Sequence, residues 1–111
     1  MPRASLGDIE HFVLVALLRL GGEGYGVPIL EEIAARTGRD VSRPAIYIAL
    51  RRLETKGLLR SRLGDATPER GGRAKRFFRL TRAGARQLQL SRNAHQRMWA
   101  DLDHLVRRPV K

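Results

Sequence analysis

The chain has 111 residues, room for one domain with a modest core, and its 22 Lys and Arg against 11 Asp and Glu give a formal charge of +11. It has no cysteine, which excludes a disulfide framework and a thiolate metal site. Its longest unbroken apolar run, residues 12–18, falls far short of the ~20 residues of a membrane span, and Asp8 and Glu10 ahead of it are unlike a signal peptide. A cytoplasmic protein with no membrane contact is expected.

The charge is uneven along the chain: residues 1–42 carry a net −2, residues 43–82 a net +9 and residues 83–111 a net +4. A positive field concentrated in the middle third suits a phosphate-binding surface; the plainer reading is a solubilising basic face.

The spacing predicts a first helix over 6–20. Ser5 followed by Asp8 reads as a capping box with Asp in place of Glu, and Gly21-Gly22 as the stop. Ile9, Phe12, Val13, Ala16, Leu17 and Leu20 form one stripe, with Leu14, Val15 and Leu18 opposite. A helix apolar all round has to be buried on more than one side, and dimerisation is the simple remedy. Residues 22–26 read as a turn; with no strand before them and no G-x-G-x-x-G register, they are not a nucleotide loop. A second helix is expected over 27–37, with Pro28 in its first turn, Gly38 as its stop, and Ile29, Leu30 and Ile33 as its core face.

A third helix starts after Ser42 and stops at Gly57, its inner stripe being Ile46, Ala49, Leu50 and Leu53. Opposite lie Pro44, Ile48, Arg51 and Thr55, flanked by Tyr47 and Arg52. Arginine, tyrosine and small apolar groups on one exposed face suit contact with phosphates and thymine methyls. An ordinary solvated helix face is the bland alternative, against which Ile48 beside Tyr47 speaks.

Residues 58–63 and 75–80 read as two short strands, with Phe78 and Leu80 toward the core. Residues 64–74 between them are too long for a tight hairpin and read as a flexible wing. Arg70, Arg73, Lys75 and Arg76 cluster there around Gly71 and Gly72. Thr81 caps a last helix of about 26 residues, roughly 39 Å long. Leu88, Ser91, His95, Met98, Leu102 and Leu105 take its a and d heptad positions. Ser91 and His95 interrupt that seam, so a short arm packing on a partner is expected rather than a long coiled coil.

No catalytic set competes with this layout. His11, His95 and His104 have no nucleophile or second ligand at useful spacing, and Asp101 with His104 reads as a solvated helix face rather than a metal pair. Neither a cofactor nor a metal is expected. The expected fold is mostly α with a small β-hairpin wing. Residues 1–81 form a winged helix-turn-helix, of which residues 6–20 also contribute to a dimer interface, and residues 82–111 form a long C-terminal dimerisation helix. The wing strands and basic third helix suit a helix entering the major groove of double-stranded DNA, with the hairpin on the backbone beside it.

Tyr25-Gly26, Ala45-Ile46-Tyr47, the run Leu50-Arg51-Arg52-Leu53-Glu54, Lys56-Gly57-Leu58, Gly71-Gly72-Arg73, Phe78-Arg79-Leu80-Thr81 and Gly84 follow one another in an order and spacing that is specific. On these residues the chain resembles the PadR family of bacterial transcriptional regulators over nearly its whole length. The resemblance implies a homodimeric winged-helix repressor that dimerises through its N- and C-terminal helices, with a short C-terminal segment. Two positions depart from the family pattern. Ile48 stands where proline usually follows the helix tyrosine, and Phe78 where tyrosine is favoured.

The residues expected to bind DNA are Ser42, Arg43, Ala45, Tyr47, Ile48, Arg51, Arg52, Arg70, Arg73 and Lys75. Tyr47, Arg43 and Arg73 would hold the backbone, with Arg51 and Ile48 nearer base edges. A basic RNA-binding or ribosome-associated protein is the alternative, but it needs exposed aromatics to stack on bases, and an aromatic content of 5% leaves few. Some relatives in the family bind flat aromatic compounds, which implies a small aromatic effector. Trp99, with His95 one turn away and Met98 beside it, therefore has two readings: the packing anchor of a dimer, or the stacking wall of an effector pocket.

Overall fold

Helix α1 (Asp8–Arg19) is the hub of the structure, a computed structural model that describes residues 6–64 and 74–107. Around it lie β1 (Glu23–Gly24), α2 (Gly26–Thr37), α3 (Arg43–Thr55), β2 (Leu59–Leu63), β3 (Arg76–Leu80), α4 (Arg82–Trp99) and α5 (Asp103–Arg107). Because α2, α3, α4 and the sheet all pack on α1, both of its apolar sides find cover within one chain. Val13, Leu14 and Leu17 are wholly buried, and Phe12 and Val15 are half-buried. Only Leu18, 52% exposed, stands out on the far side. Burial of α1 therefore needs no second chain.

The start of α1 differs from expectation. Ser5 lies outside the described residues, and the cap is Gly7, whose backbone N–H donates to the Glu10 Oε1 at 2.9 Å. Glu10 is also the one buried charged side chain among the described residues, and Lys56 Nζ reaches both its oxygens at 3.1 Å. Lys56, just before the stop at Gly57, thus ties the end of α3 to the start of α1. Gly57 at φ +78 still reverses the chain there, in a left-handed conformation that costs glycine little.

The expected turn at 22–26 contains a strand. Gly21 and Gly22 at positive φ swing the chain back so that Glu23 and Gly24 pair with Arg79 and Phe78. Strand order is β1-β3-β2, all antiparallel, with β2 and β3 in register from Leu59↔Leu80 to Leu63↔Arg76. Two residues of modest strand propensity give no periodic signal; only the ladder with β3 makes them a strand. The inner sheet face carries Leu59, Ser61, Phe78 and Leu80, and the outer face Glu23, Arg60, Arg62, Phe77 and Arg79. Gly84 lets α4 dock at the base of the sheet, since a Cβ there would fall 2.2 Å from the Leu58 carbonyl oxygen.

The last helix is shorter than the 26 residues expected. Thr81 Oγ1 accepts from the Gly84 N–H as its cap, but α4 ends at Trp99 after 18 residues. Asp101 takes φ 65, a left-handed conformation that aspartate tolerates, and α5 then begins at Asp103. No side chain of α4 after Leu88 is buried within this chain, so tertiary packing does not hold the helix straight past Trp99.

Candidate nucleic-acid interface

The third helix is presented as its sequence predicts. Ser42 Oγ accepts from the Ala45 N–H at 3.2 Å, and Pro44 sits in the first turn, where its missing N–H costs nothing. Ile46, Ala49, Leu50 and Leu53 are buried against α1 and α2, which fixes the rotation of the helix. That rotation leaves Arg43, Tyr47, Ile48, Arg51 and Arg52 outward, with Ala45 half-buried at the edge. Tyr47 and Ile48 are 47% and 53% exposed, unusual for large apolar groups on a face that is otherwise cationic.

Tyr47 is not loose. A Cβ on Gly26 would lie 2.6 Å from its hydroxyl oxygen, so the ring rests against the backbone where α2 begins. The glycine of Tyr25-Gly26 thereby makes room for the tyrosine of α3. On the other side of Tyr47 a groove of about 570 Å³ separates α3 from β3, lined by Tyr47, Arg51, Glu54, Arg76 and Phe78.

The wing residues divide by strand alternation. Lys75, Phe77 and Arg79 share the outer face, whereas Arg76 shares the inner face of Phe78 and Leu80. Lys75 Nζ lies 4.3 Å above the Tyr25 ring and donates to the Tyr25 hydroxyl at 3.3 Å. Arg62 is also on the outer face. It donates to both oxygens of Glu23 at 3.1 Å and stacks 4.9 Å over Phe77. The hydrogen bond from Arg62 holds the Glu23 carboxyl below its ordinary pKa, aided by the charges of Arg62 and Arg79. Arg70 and Arg73 lie outside the described residues.

Arg76, absent from the expected set, instead turns toward α3. Its Nη1 donates to Ser61 Oγ at 3.0 Å, and Ser61 Oγ donates to Glu54 Oε2 at 2.5 Å. The signal for it was in the sequence: Arg76 lies two residues from Phe78, whose inward direction is legible there.

A second concavity, about 670 Å³, lies between α1 and α4, with His11, Phe12, Arg92, His95 and Trp99 along its walls. His95 and Trp99 are brought together as expected, but Met98, 78% exposed, does not line it. The addition is His11, whose ring centroid is 5.6 Å from that of His95 and whose Nδ1 is 3.1 Å from Ser91 Oγ. Burial, then the neighbouring His95, lowers the His11 pKa, against a smaller upward pull from Asp8. Among the described residues no group of His, Cys, Asp and Glu is arranged to hold a metal, and no helix is long and apolar enough to cross a membrane.

This architecture has close counterparts among solved structures. A PadR family transcription regulator from hypervirulent Clostridium difficile superposes with a TM-score of 0.74 at 20% identity, over 90% of this chain and 99% of that one. A PadR family transcriptional regulator from Eggerthella lenta gives 0.69 at 24% identity, over 87% and 82%. A winged-helix DNA-binding protein from STIV gives 0.66 at 18% identity, over 82% and 90%. No curated protein sequence matches the chain. The model of the transcriptional regulator PadR-like family matches residues 13–90, from the middle of α1 to the middle of α4. That span holds the capped basic helix, the glycine beneath Tyr47 and the sheet that carries the wing, and with it the chain belongs to the PadR-like family of transcriptional regulators.

Proposed function

We propose that the protein is a homodimeric repressor that binds a palindromic operator in double-stranded DNA, acting in the cytoplasm. The observation that carries this reading is the outward face of α3, where Arg43, Tyr47, Ile48, Arg51 and Arg52 project from a helix locked in rotation by its buried stripe. Arg43, Tyr47 and the wing arginines Arg70 and Arg73 hold phosphates; Ile48 and Arg51 address base edges, and Ser42 and Ala45 set the entry of the helix. Lys75, engaged by Tyr25, adds to the field rather than to direct contacts. Residues 1–81 are the DNA-binding unit, residues 82–111 carry the main dimer contact, and residues 6–20 contribute to it through exposed Leu18.

In the dimer, two copies of α3 address half-sites about one helical turn apart or a multiple of it. The groove between α1 and α4 suits a small aromatic effector, with Trp99 to stack on it and His95 as a polar handle; Met98, which does not line the groove, has no part in it. Such a ligand releases DNA only through different affinities for the two dimer forms.

Binding of fluorescent duplexes across a salt series tests the central reading. A palindrome from the promoter of the protein's own gene should bind far more tightly than a random duplex or RNA of equal length. Arg51→Ala should cost about 1–3 kcal/mol and relax preference at one base position. Equal affinity for palindrome, random duplex and RNA would defeat the proposal.

A further inference from the structure

The groove between α3 and β3 contains an arginine whose aim is set from the recognition helix itself. Ser61 gives its proton to Glu54 of α3, so its oxygen lone pairs are left to accept from Arg76 of β3. A guanidinium has five N–H donors, and the bond to Ser61 is the only side-chain hydrogen bond Arg76 makes among the described residues. The rest of its fork is open to a groove whose other walls are Tyr47, Arg51, Glu54 and Phe78. The Arg51 guanidinium makes no hydrogen bond or ion pair among the described residues.

We propose that this groove seats a backbone phosphate of the bound duplex, with Arg76 as its clamp and Ser61 and Glu54 as the residues that position the clamp. The inference rests on the DNA-binding reading above and adds to it a contact at the base of the wing, assigned to a strand residue. Three features favour a phosphate over another occupant. Arg51 and Arg76 approach it from the helix and from the sheet, and a planar guanidinium matches two phosphate oxygens at once. The groove opens beside the exposed stripe of α3, where one strand of a duplex in contact with that stripe must run. Glu54, the one carboxylate present, is engaged by Ser61.

The relay also has a geometric consequence. Because Glu54 belongs to α3 and Arg76 to β3, the clamp keeps a constant distance from the base-reading side chains of α3. A phosphate held there registers the helix along the groove without reading sequence.

The test compares Arg76→Ala with Arg79→Ala, which removes the same charge from the outer face of the same strand. Duplex binding is measured against salt for the palindrome and for a random sequence. Arg76→Ala should weaken both about equally, on the order of tenfold, and lower the salt slope by about one unit per bound protomer. Arg79→Ala should leave the slope nearly unchanged. Ser61→Ala, which keeps every charge, should weaken binding by a smaller factor, about two- to fivefold, with an unaltered melting temperature. An unchanged slope for Arg76→Ala, or equal losses for Arg76→Ala and Arg79→Ala, would overturn the clamp while leaving the DNA-binding reading intact. If Arg76→Ala melts early, Ser61→Ala alone decides, and full affinity in that folded variant overturns the positioning role. Failure of the unaltered protein to bind any duplex removes the functional reading itself.

Discussion

The three-helix core and the C-terminal arm use the same kind of amphipathic pattern with opposite results. In the core, the apolar stripes of α1, α2 and α3 meet one another, and Leu14, Leu17, Ile29, Ile46, Leu50 and Leu53 are fully buried. In the arm, Met98, Trp99, Leu102, Leu105 and Val106 stay exposed, and α4 breaks at Ala100. The core's pattern is answered within the chain; the arm's is not. An apolar stripe thus specifies which face seeks cover, while the covering element depends on what the chain can fold back upon it. Helices of this length are marginal without packing, which makes the arm the region least supported by contacts within the chain.

The largest expected effect lies in the core. Leu50→Ala should destabilise the folded chain by about 2–5 kcal/mol, measured by denaturant unfolding. Trp99→Ala in the same assay, at a dilution where sedimentation reports single chains, should cost less than about 1 kcal/mol. Comparable losses would mean that the arm is part of the core after all.

Next comes the join between α1 and α3. Lys56→Met leaves the Glu10 carboxylate buried with only the Gly7 N–H as partner, at a cost of about 1–3 kcal/mol in chemical denaturation. An unchanged midpoint would show that Glu10 finds water instead.

Trp99→Ala sharpens the comparison from the other side. If the arm is covered by a second copy, sedimentation equilibrium should show dimer dissociation strengthened at least tenfold, about 1.4 kcal/mol. Intrinsic fluorescence of Trp99, the sole tryptophan, would report a planar aromatic ligand in the same groove by quenching.

The smallest effect is on pH dependence at the contact between core and arm. Burial and His95 lower the His11 pKa below 6.5, so the unfolded chain binds the proton more readily. Stability is then full above pH 6.5 and falls as the pH drops from there toward the folded-state pKa. His11→Gln should flatten the melting temperature over that window, and an unaltered slope would place the acid sensitivity elsewhere.

Local chemistry carried a large part of the architecture. The caps Ser42 and Thr81, the stop at Gly38 and the stripe Ile46, Ala49, Leu50 and Leu53 depend on residues three to seven positions apart. These were legible because helix geometry relates near neighbours. The same holds for the outward set on α3, from Arg43 to Arg52. Two-residue alternation likewise placed Phe78 inward, and it would have placed Arg76 beside it.

What only the tertiary structure decided are pairings between distant segments. Strand β1 exists because Glu23 and Gly24 meet Arg79 and Phe78 some 55 residues later. The partners of Glu10, Arg62 and His11 are Lys56, Glu23 and His95, each on another element. The direction of Arg76 depends on a serine and a carboxylate from β2 and α3. No periodicity in the chain encodes such meetings, because they follow from how rigid elements stack once their stripes are buried. A charged side chain's role is set by what lies opposite it there: Lys75 and Arg76 are neighbours in sequence, and one pleat of the strand sends them to opposite faces of the sheet.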